Sequence, residues 1–540
     1  MGKFRVERDP IGDVRVPAKA YFGGQTARAV ENFPISGLTA PPALITATVL
    51  IKKAAAEANE SLGRLEPALA RAIVAAADEV LAGKLRSEFV VDVYQAGAGT
   101  SHNMNTNEVL ANRAAELLGE KLGSYKRIHP NDHVNMGQST NDVYPTATRL
   151  AILFALKDLL TASGGLSDRL AVKSREFAAV LKTGRTHLQD AVPITLGQEF
   201  GGYAANVAHA TGDLERTASQ LHELNLGATA VGTGLNAGDD YTGLAVTNLA
   251  RYTALPLRRS PNLFRVTQSM GDVLAYSGAL RRLAVEVGKV ASDLRLLSMG
   301  PRAGIAEIQL PAVQPGSSIM PGKVNPSVPE MVNQVCFQVI GCDAAILAAA
   351  ESGQLELNVM MPVIAWNALH ATTILGRAMH VLDATCVAGI TADVERCREL
   401  LDRSTALATA LSPHIGYAQT AEIAKLAVKS GRSIRDLVRE RRLMPEAELD
   451  LVLSAEAMTS PGIPGQEEGS SRRVSNRPDT RPHGRTRPGA SAKPKPAAAA
   501  ARQAVPAGKP ARAGGPGSRR LATAGSDHGR PQHRRRQRGR

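Results

Sequence analysis

The segment VTQSMGDVLAYSGALRRLAVEVGKVASDLRLLSM, Val266 to Met299, carries the apolar pattern that decides the fold class. Leu280, Leu283, Val287, Val290, Leu294 and Leu297 follow one another in steps of 3, 4, 3, 4 and 3, the spacing of a coiled-coil-like seam. The segment predicts a single helix, about 50 Å long at ~1.5 Å per residue, stopped by Gly300-Pro301. Two further segments, about Val328 to Ala350 and Val363 to Leu382, are apolar nearly all round. Helices of that kind must be buried among other helices. Pro41 to Leu85 repeats apolar residues at three- and four-residue steps and reads as two helices around Gly63. Residues 1–40 alternate apolar and turn signals and read as an extended arm. The expected fold is all-α, with a long central helix bundle larger than one copy of the chain can complete.

Composition agrees with that reading. Aromatic residues make up only 4% of the 540, and the abundant Ala, Leu and Val suit closely packed helices better than sheets. The net charge of +14 is unevenly spread. Residues 466–540 hold 19 Lys/Arg and 4 Asp/Glu, which leaves 45 basic and 46 acidic groups, a net −1, on the first 465. That tail has nine Pro, ten Gly and no aromatic residue, too little apolar surface to offset the entropy of ordering it, so it is expected to be disordered. It has two readings: a salt-sensitive, sequence-independent polyanion binder, or an extension without function. Nucleic acid is expected as a partner only there. Cys336, Cys342, Cys386 and Cys397 show no Cys-x-x-Cys spacing and read as buried free thiols in a reducing compartment. The charged start, Met1 to Pro10, lacks the apolar core of a secretory signal, and no stretch approaches ~18–20 uninterrupted apolar residues, so no membrane span is expected. A cytoplasmic location follows as the expectation.

Five polar stretches interrupt the helical pattern. Gly316-Ser317-Ser318-Ile319-Met320-Pro321-Gly322-Lys323-Val324-Asn325-Pro326 reads as a loop feeding a helix start. Its hydroxyls, ammonium, amide and glycine-freed N–H groups suit a small substrate bearing carboxylates, although an interhelical turn has the same composition. Gln95 to Asn105, with Thr100, Ser101 and His102, leads to Asn107 and Glu108 as a helix opening; a capped helix and an anion contact are both compatible with it. His129-Pro130-Asn131-Asp132 precedes Ser139-Thr140-Asn141-Asp142. Thr183-Gly184-Arg185-Thr186-His187 reads as a turn ahead of a helix, with His187 either capping it or handling a proton. Asn225 to Asn236 is glycine-rich but lacks the strand-then-helix context of a nucleotide loop, and reads as packing with Thr233 and Asn236 as polar contacts. No spacing resembles a metal-ligand cluster, and no metal or other cofactor is expected.

The loop at 316–326 resembles the signature of the fumarase/aspartase superfamily, and the resemblance runs from about Phe4 to about Gly465, with the other motifs in the family's order. It implies a three-domain lyase fold: residues 1–138 mostly helical, 139–395 the long-helix bundle with the catalytic loop 312–327, 396–465 a small helical domain, and 466–540 the basic tail. It implies a homotetramer whose active sites are shared between subunits and act on small dicarboxylates. By resemblance Ser317 is the general base, and His187 is a second catalytic residue beside those that hold the other carboxylate and the leaving group. Thr100, Ser101, Ser139, Thr140, Asn141, Thr186, Ser318, Lys323 and Asn325 bind substrate, and His129, Asn131 and Asp132 form a candidate secondary anion site. Segments 328–335, 353–360, 98–101 and 136–140 resemble the aspartase branch more than the fumarase branch. The alternatives are a hydratase interconverting malate and fumarate, or a non-enzymatic scaffold for the tail.

Overall fold

A computed structural model describes residues 3–466; the expectation for the basic tail concerns residues that, beyond Gln466, lie outside that range. A hairpin of β1 (Phe4–Asp9) and β2 (Gly12–Pro17) opens the chain, where the sequence predicts an arm. Helices α1 (Gly24–Asn32), α2 (Pro42–Ser61), α3 (Pro67–Leu81) and α4 (Thr100–Leu117) follow. Pro42 and Pro67 stand in the first turns of α2 and α3, where a missing N–H leaves no helical bond unmade. Next come α5 (Thr140–Glu176), the hairpin β3 (Leu181–Thr186) and β4 (Gln189–Thr195), and α6 (Leu196–Ala218). Short pieces β5 (Glu223–Leu224), α7 (Asp239–Thr253), β6 (Arg258–Arg259) and α8 (Leu263–Gln268) lead to α9 (Gly271–Leu297). Then follow β7 (Ile308–Gln309), α10 (Ser327–Glu351), α11 (Met361–Thr385) and β8 (Thr391–Ala392), which pairs with β7. The described residues end with α12 (Val394–Arg403), α13 (Ala408–Ile415), α14 (Tyr417–Ser430), α15 (Ile434–Glu440), α16 (Glu446–Val452) and α17 (Ala455–Thr459).

The bundle consists of α5, α6, α9, α10 and α11, whose apolar faces share one continuous core. Every member of the predicted seam, from Leu280 to Leu297, is buried in it. Side-chain bonds fix the helix directions. Tyr203, early in α6, donates to Asp293, late in α9, at 2.8 Å, so these two are antiparallel. Asn333, early in α10, reaches Gly288 O at 2.9 Å, and Lys173, late in α5, reaches Ile390 O, beyond α11, at 2.8 Å. One end of the bundle therefore collects the starts of α5 and α11. The other collects the β3–β4 hairpin, the end of α9 and the start of α10. A second core lies among α2, α3 and α4, and a third among α12 to α16.

One expectation about these helices needs correction. The helix predicted over 266–299 is broken at Ser269-Met270: Ser269 is extended and its Oγ accepts from Gly271 N at 3.1 Å, just ahead of α9. A serine offers this local bond more readily than it sustains a helix interior, so α9 has 27 residues and the longest helix is α5, with 37. Helix α10 is not surrounded. Phe337 is 67% and Leu347 52% exposed, with Ile340 on the same face. Helices α5 and α10 are long and apolar enough by composition to cross a membrane, and both pack against bundle partners, α5 on α6 and α11, α10 on α9 and α11.

Candidate active site

At one end of the bundle two helix N-termini lie side by side. Helix α4 opens at Thr100, earlier than Asn107-Glu108, because Gly99 turns the chain at φ +78. A Cβ there would lie 2.1 Å from Tyr144 Cδ2 on α5, so only glycine permits this approach. Thr100 is exposed and Ser101 buried. Helix α5 opens with a capping box: Ser139 Oγ accepts from Asn141 N at 3.2 Å, and Asp142 Oδ1 accepts from Ser139 N at 3.0 Å. Such a cap contributes about 1 kcal/mol. Asn103 Nδ2, on α4, donates to Thr140 Oγ1 at 3.2 Å, which leaves the Thr140 hydroxyl proton free to donate elsewhere. Asn141 Nδ2 donates to Ala230 O at 2.8 Å, while Asp142 Oδ2 accepts from Gly227 N at 3.0 Å and Thr229 N at 2.9 Å. The glycine-rich segment thus braces the α5 cap; within it Thr233 only receives Leu235 N at 3.4 Å. The arrangement brings Thr100, Ser139, Thr140 and Asn141 together at the positive ends of two helices, a setting for a carboxylate.

Buried polar groups support this end from below. Lys52 is fully buried and donates to Asn135 Oδ1 and Gln138 Oε1, both at 2.9 Å. Burial brings its pKa down to about 7 and pushes Asp142 up to about 7. His102 is buried against Thr48 Oγ1 at 3.0 Å, and desolvation first, then the Lys52 charge, lowers its pKa to about 4. It is a neutral structural imidazole. Glu108, placed mid-helix, accepts from Gly23, Gln25 and Thr26 N and so caps α1. Asn131 and Asp132 lie in a π-helical turn over Pro130–Val134 that His129 caps, with His129 Nδ1 3.3 Å from Asp132 Oδ2.

The other predicted residues lie at the opposite end. Thr186 and His187 do not precede a helix: they form the tip of the β3–β4 hairpin, with His187 at φ +54 and Leu188 at φ +59, the geometry of a type I′ turn. Non-glycine residues in that conformation store about 1–2 kcal/mol each, and the tip is exposed. Just below the tip Arg185 grips the Glu307 carboxylate at 2.8 and 3.0 Å. Beyond β7 runs the loop 312–327. Gly316 N donates to Lys323 O at 2.9 Å and Asn325 Nδ2 to Gly316 O at 2.7 Å, closing the loop on itself. Inside that closure Ser317 Oγ accepts from Ile319 N at 3.2 Å and Met320 N at 2.9 Å. Two amides directed at one hydroxyl oxygen favour its deprotonated form. Ser318 and Lys323 are exposed.

The two groups of residues do not meet within one chain. They stand at opposite ends of α5, about 55 Å apart at ~1.5 Å per residue. Among the described residues no hydrogen bond or ion pair joins them. Sequence reasoning missed Lys52, Asn103, Asn135 and Gln138 beneath the first group and Glu307 beside the second. A usable signal existed for the first: Asn103, Asn105, Asn107 and Asn112 crowd one helix that none of them favours, which points to buried side-chain bonding.

Comparison with known proteins agrees with the all-α lyase fold. A lyase family model matches residues 12–341 and a fumarase C C-terminus model residues 407–460. The chain is 51% identical over 462 residues to an aspartate ammonia-lyase of Pseudomonas aeruginosa, covering 85% of this chain and 98% of that one. It is 47% identical to an aspartate ammonia-lyase of Bacillus subtilis, covering 86% and 98%. Among solved structures it is similar to a fumarate lyase:delta crystallin from Brucella melitensis, with TM-score 0.81, 52% identity and 84% and 98% coverage. It is also similar to a class II fumarase from Schistosoma mansoni, with TM-score 0.81, 37% identity and the same coverage.

Proposed function

The chain belongs to the fumarase/aspartase superfamily of lyases, and from that premise we propose that it removes ammonia reversibly from L-aspartate to give fumarate. It is a carbon–nitrogen lyase. The observation that carries the mechanism is Ser317 Oγ receiving two backbone N–H groups inside the closed loop. The proton next to a carboxylate is hard to remove because the resulting carbanion is unstable in water. Deprotonated Ser317 takes that proton from C3, and the electron pair spreads onto the adjacent carboxylate as an aci-carboxylate. Lys323 and Asn325 hold the developing dianion, with Ser318 assisting. The pair then returns to form the C2–C3 double bond as the C2–N bond breaks and ammonia leaves. Thr100, Ser101, Ser139, Thr140, Asn141 and Thr186 hold the other carboxylate and the amino group, and His187 stands beside them. This places His187 at a strained hairpin tip, the kind of position where backbone strain accompanies function.

One chain cannot perform this sequence alone, because its two groups of residues are about 55 Å apart. A homotetramer sharing its sites between subunits resolves the difficulty, and the exposed Phe337–Ile340–Leu347 face of α10 supports such an assembly. The separate core among α12 to α16 supports a small C-terminal domain from about 396, whereas α2 packs into both the first and the second core. The four cysteines are free and buried, which fits a cytoplasmic enzyme. The test is absorbance in the fumarate band, with purified protein given L-aspartate or L-malate. Fumarate from aspartate alone is expected; fumarate from malate alone would make the chain a hydratase and overturn the proposal.

A further inference from the structure

We propose that Glu307 is a positioning residue that sets the His187 hairpin against the Ser317 loop; the inference rests on the catalytic reading given above. Glu307 is 0% exposed. Its backbone is pinned on both sides: Glu307 N donates to Leu297 O at the end of α9 at 2.9 Å, and Glu307 O accepts from Asp393 N at the start of α12 at 3.0 Å. Its carboxylate is gripped by both terminal nitrogens of Arg185, at 2.8 and 3.0 Å, and lies 3.1 Å from Lys182 Nζ. Arg185 stands two residues before His187, and Glu307 ten residues before Ser317. A single carboxylate is therefore shared between the roots of the two segments that carry the base and its companion.

The geometry suits orientation as well as attachment. A two-point guanidinium–carboxylate contact fixes rotation in addition to distance, which one ammonium contact does not. The register is irregular between Thr183 and Arg185 but regular from Arg185–Asp190 through Thr186–Gln189 to the tip, so the angle set at Arg185 reaches His187. Charge is balanced locally: Lys182 is also 2.6 Å from Glu199, so two cations face two carboxylates. Glu307→Gln leaves Lys182 its second partner, Glu199, and removes the carboxylate that pairs with Arg185. Arg185→Lys keeps the charge and removes only the fork. Neither residue touches substrate in this arrangement. Each acts through the placement of His187.

The full chain carrying Glu307→Gln, Arg185→Lys, or both is assayed with L-aspartate. The expected result is a fall in kcat of about 10²-fold, the scale of an ångström-size misplacement of a catalytic group, with KM near wild type. For Arg185→Lys the assembly size and thermal midpoint stay unchanged, and the double variant is no slower than the slower single one, because both changes break the same contact. Wild-type kcat in Arg185→Lys, or losses that multiply in the double variant, would overturn the inference. So would a kcat loss in Arg185→Lys that is accounted for by lost assembly. Wild-type protein that forms no fumarate from aspartate would instead refute the catalytic reading beneath it.

Discussion

Ser317 and His102 illustrate opposite uses of a polar side chain. Ser317 is supplied with two N–H donors and left accessible on a loop; His102 is enclosed and kept neutral. For Ser317→Ala the expected outcome is loss of turnover by several orders of magnitude with the assembly intact, checked by fumarate formation and by size. Near-normal turnover would remove Ser317 from its role. His102 makes a stability prediction. Its folded pKa of about 4 lies below the ordinary 6.5, so the unfolded chain binds a proton there that the folded one refuses. Stability is present above pH 6.5 and declines as pH falls toward 4, by about 3 kcal/mol in all at 1.36 kcal/mol per pH unit. His102→Gln should flatten that part of the curve in denaturant titrations across the same range; an unchanged slope would mean that His102 is not the group responsible. At this scale the sequence was legible where a residue's chemistry is its own, as with the Ser317 hydroxyl. It was silent where chemistry comes from burial, as with Lys52, whose partners Asn135 and Gln138 lie 83 and 86 positions away.

Elements were read well where period decides and poorly where a local bond decides. The seam from Leu280 to Leu297 shows itself by spacing, whereas the break at Ser269 depends on one hydroxyl choosing one amide. The hairpin tip was hidden for a related reason. Its two left-handed positions are filled by His187 and Leu188, so the glycine or asparagine that usually announces such a turn is absent. Gly184 drew attention to the wrong place. The contact of α4 with α5 is the element most exposed to disruption. Gly99→Ala forces a Cβ onto the Tyr144 ring and demands an unfavourable φ, a combination expected to destabilise by about 2–4 kcal/mol. A lowered thermal midpoint together with weakened substrate binding at Thr100 is the expected result. An unchanged midpoint would show that the helices separate freely.

In the proposed mechanism the bundle acts as a spacer that holds half of a catalytic site at each end. A bundle with α5 about 55 Å long cannot bend its ends together, so the proposed mechanism has copies of the chain supply complementary halves, with the uncovered apolar face of α10 as the surface proposed for their association. The sequence predicts a bundle larger than one chain, through apolar segments with too few partners, and the exposed face of α10 supports that expectation. It did not convey the separation, which follows from helix directions set by bonds such as Tyr203–Asp293.

The most direct test of this arrangement mixes two inactive proteins. Ser317→Ala damages one end and Asn141→Ala the other; each alone is expected to be nearly dead. Unfolded together and refolded as mixed assemblies, they should regain activity, since random pairing in a symmetric oligomer leaves about one site in four with both halves intact. Activity that stays at the level of the separate variants, in assemblies shown to be mixed, would contradict a site shared between chains.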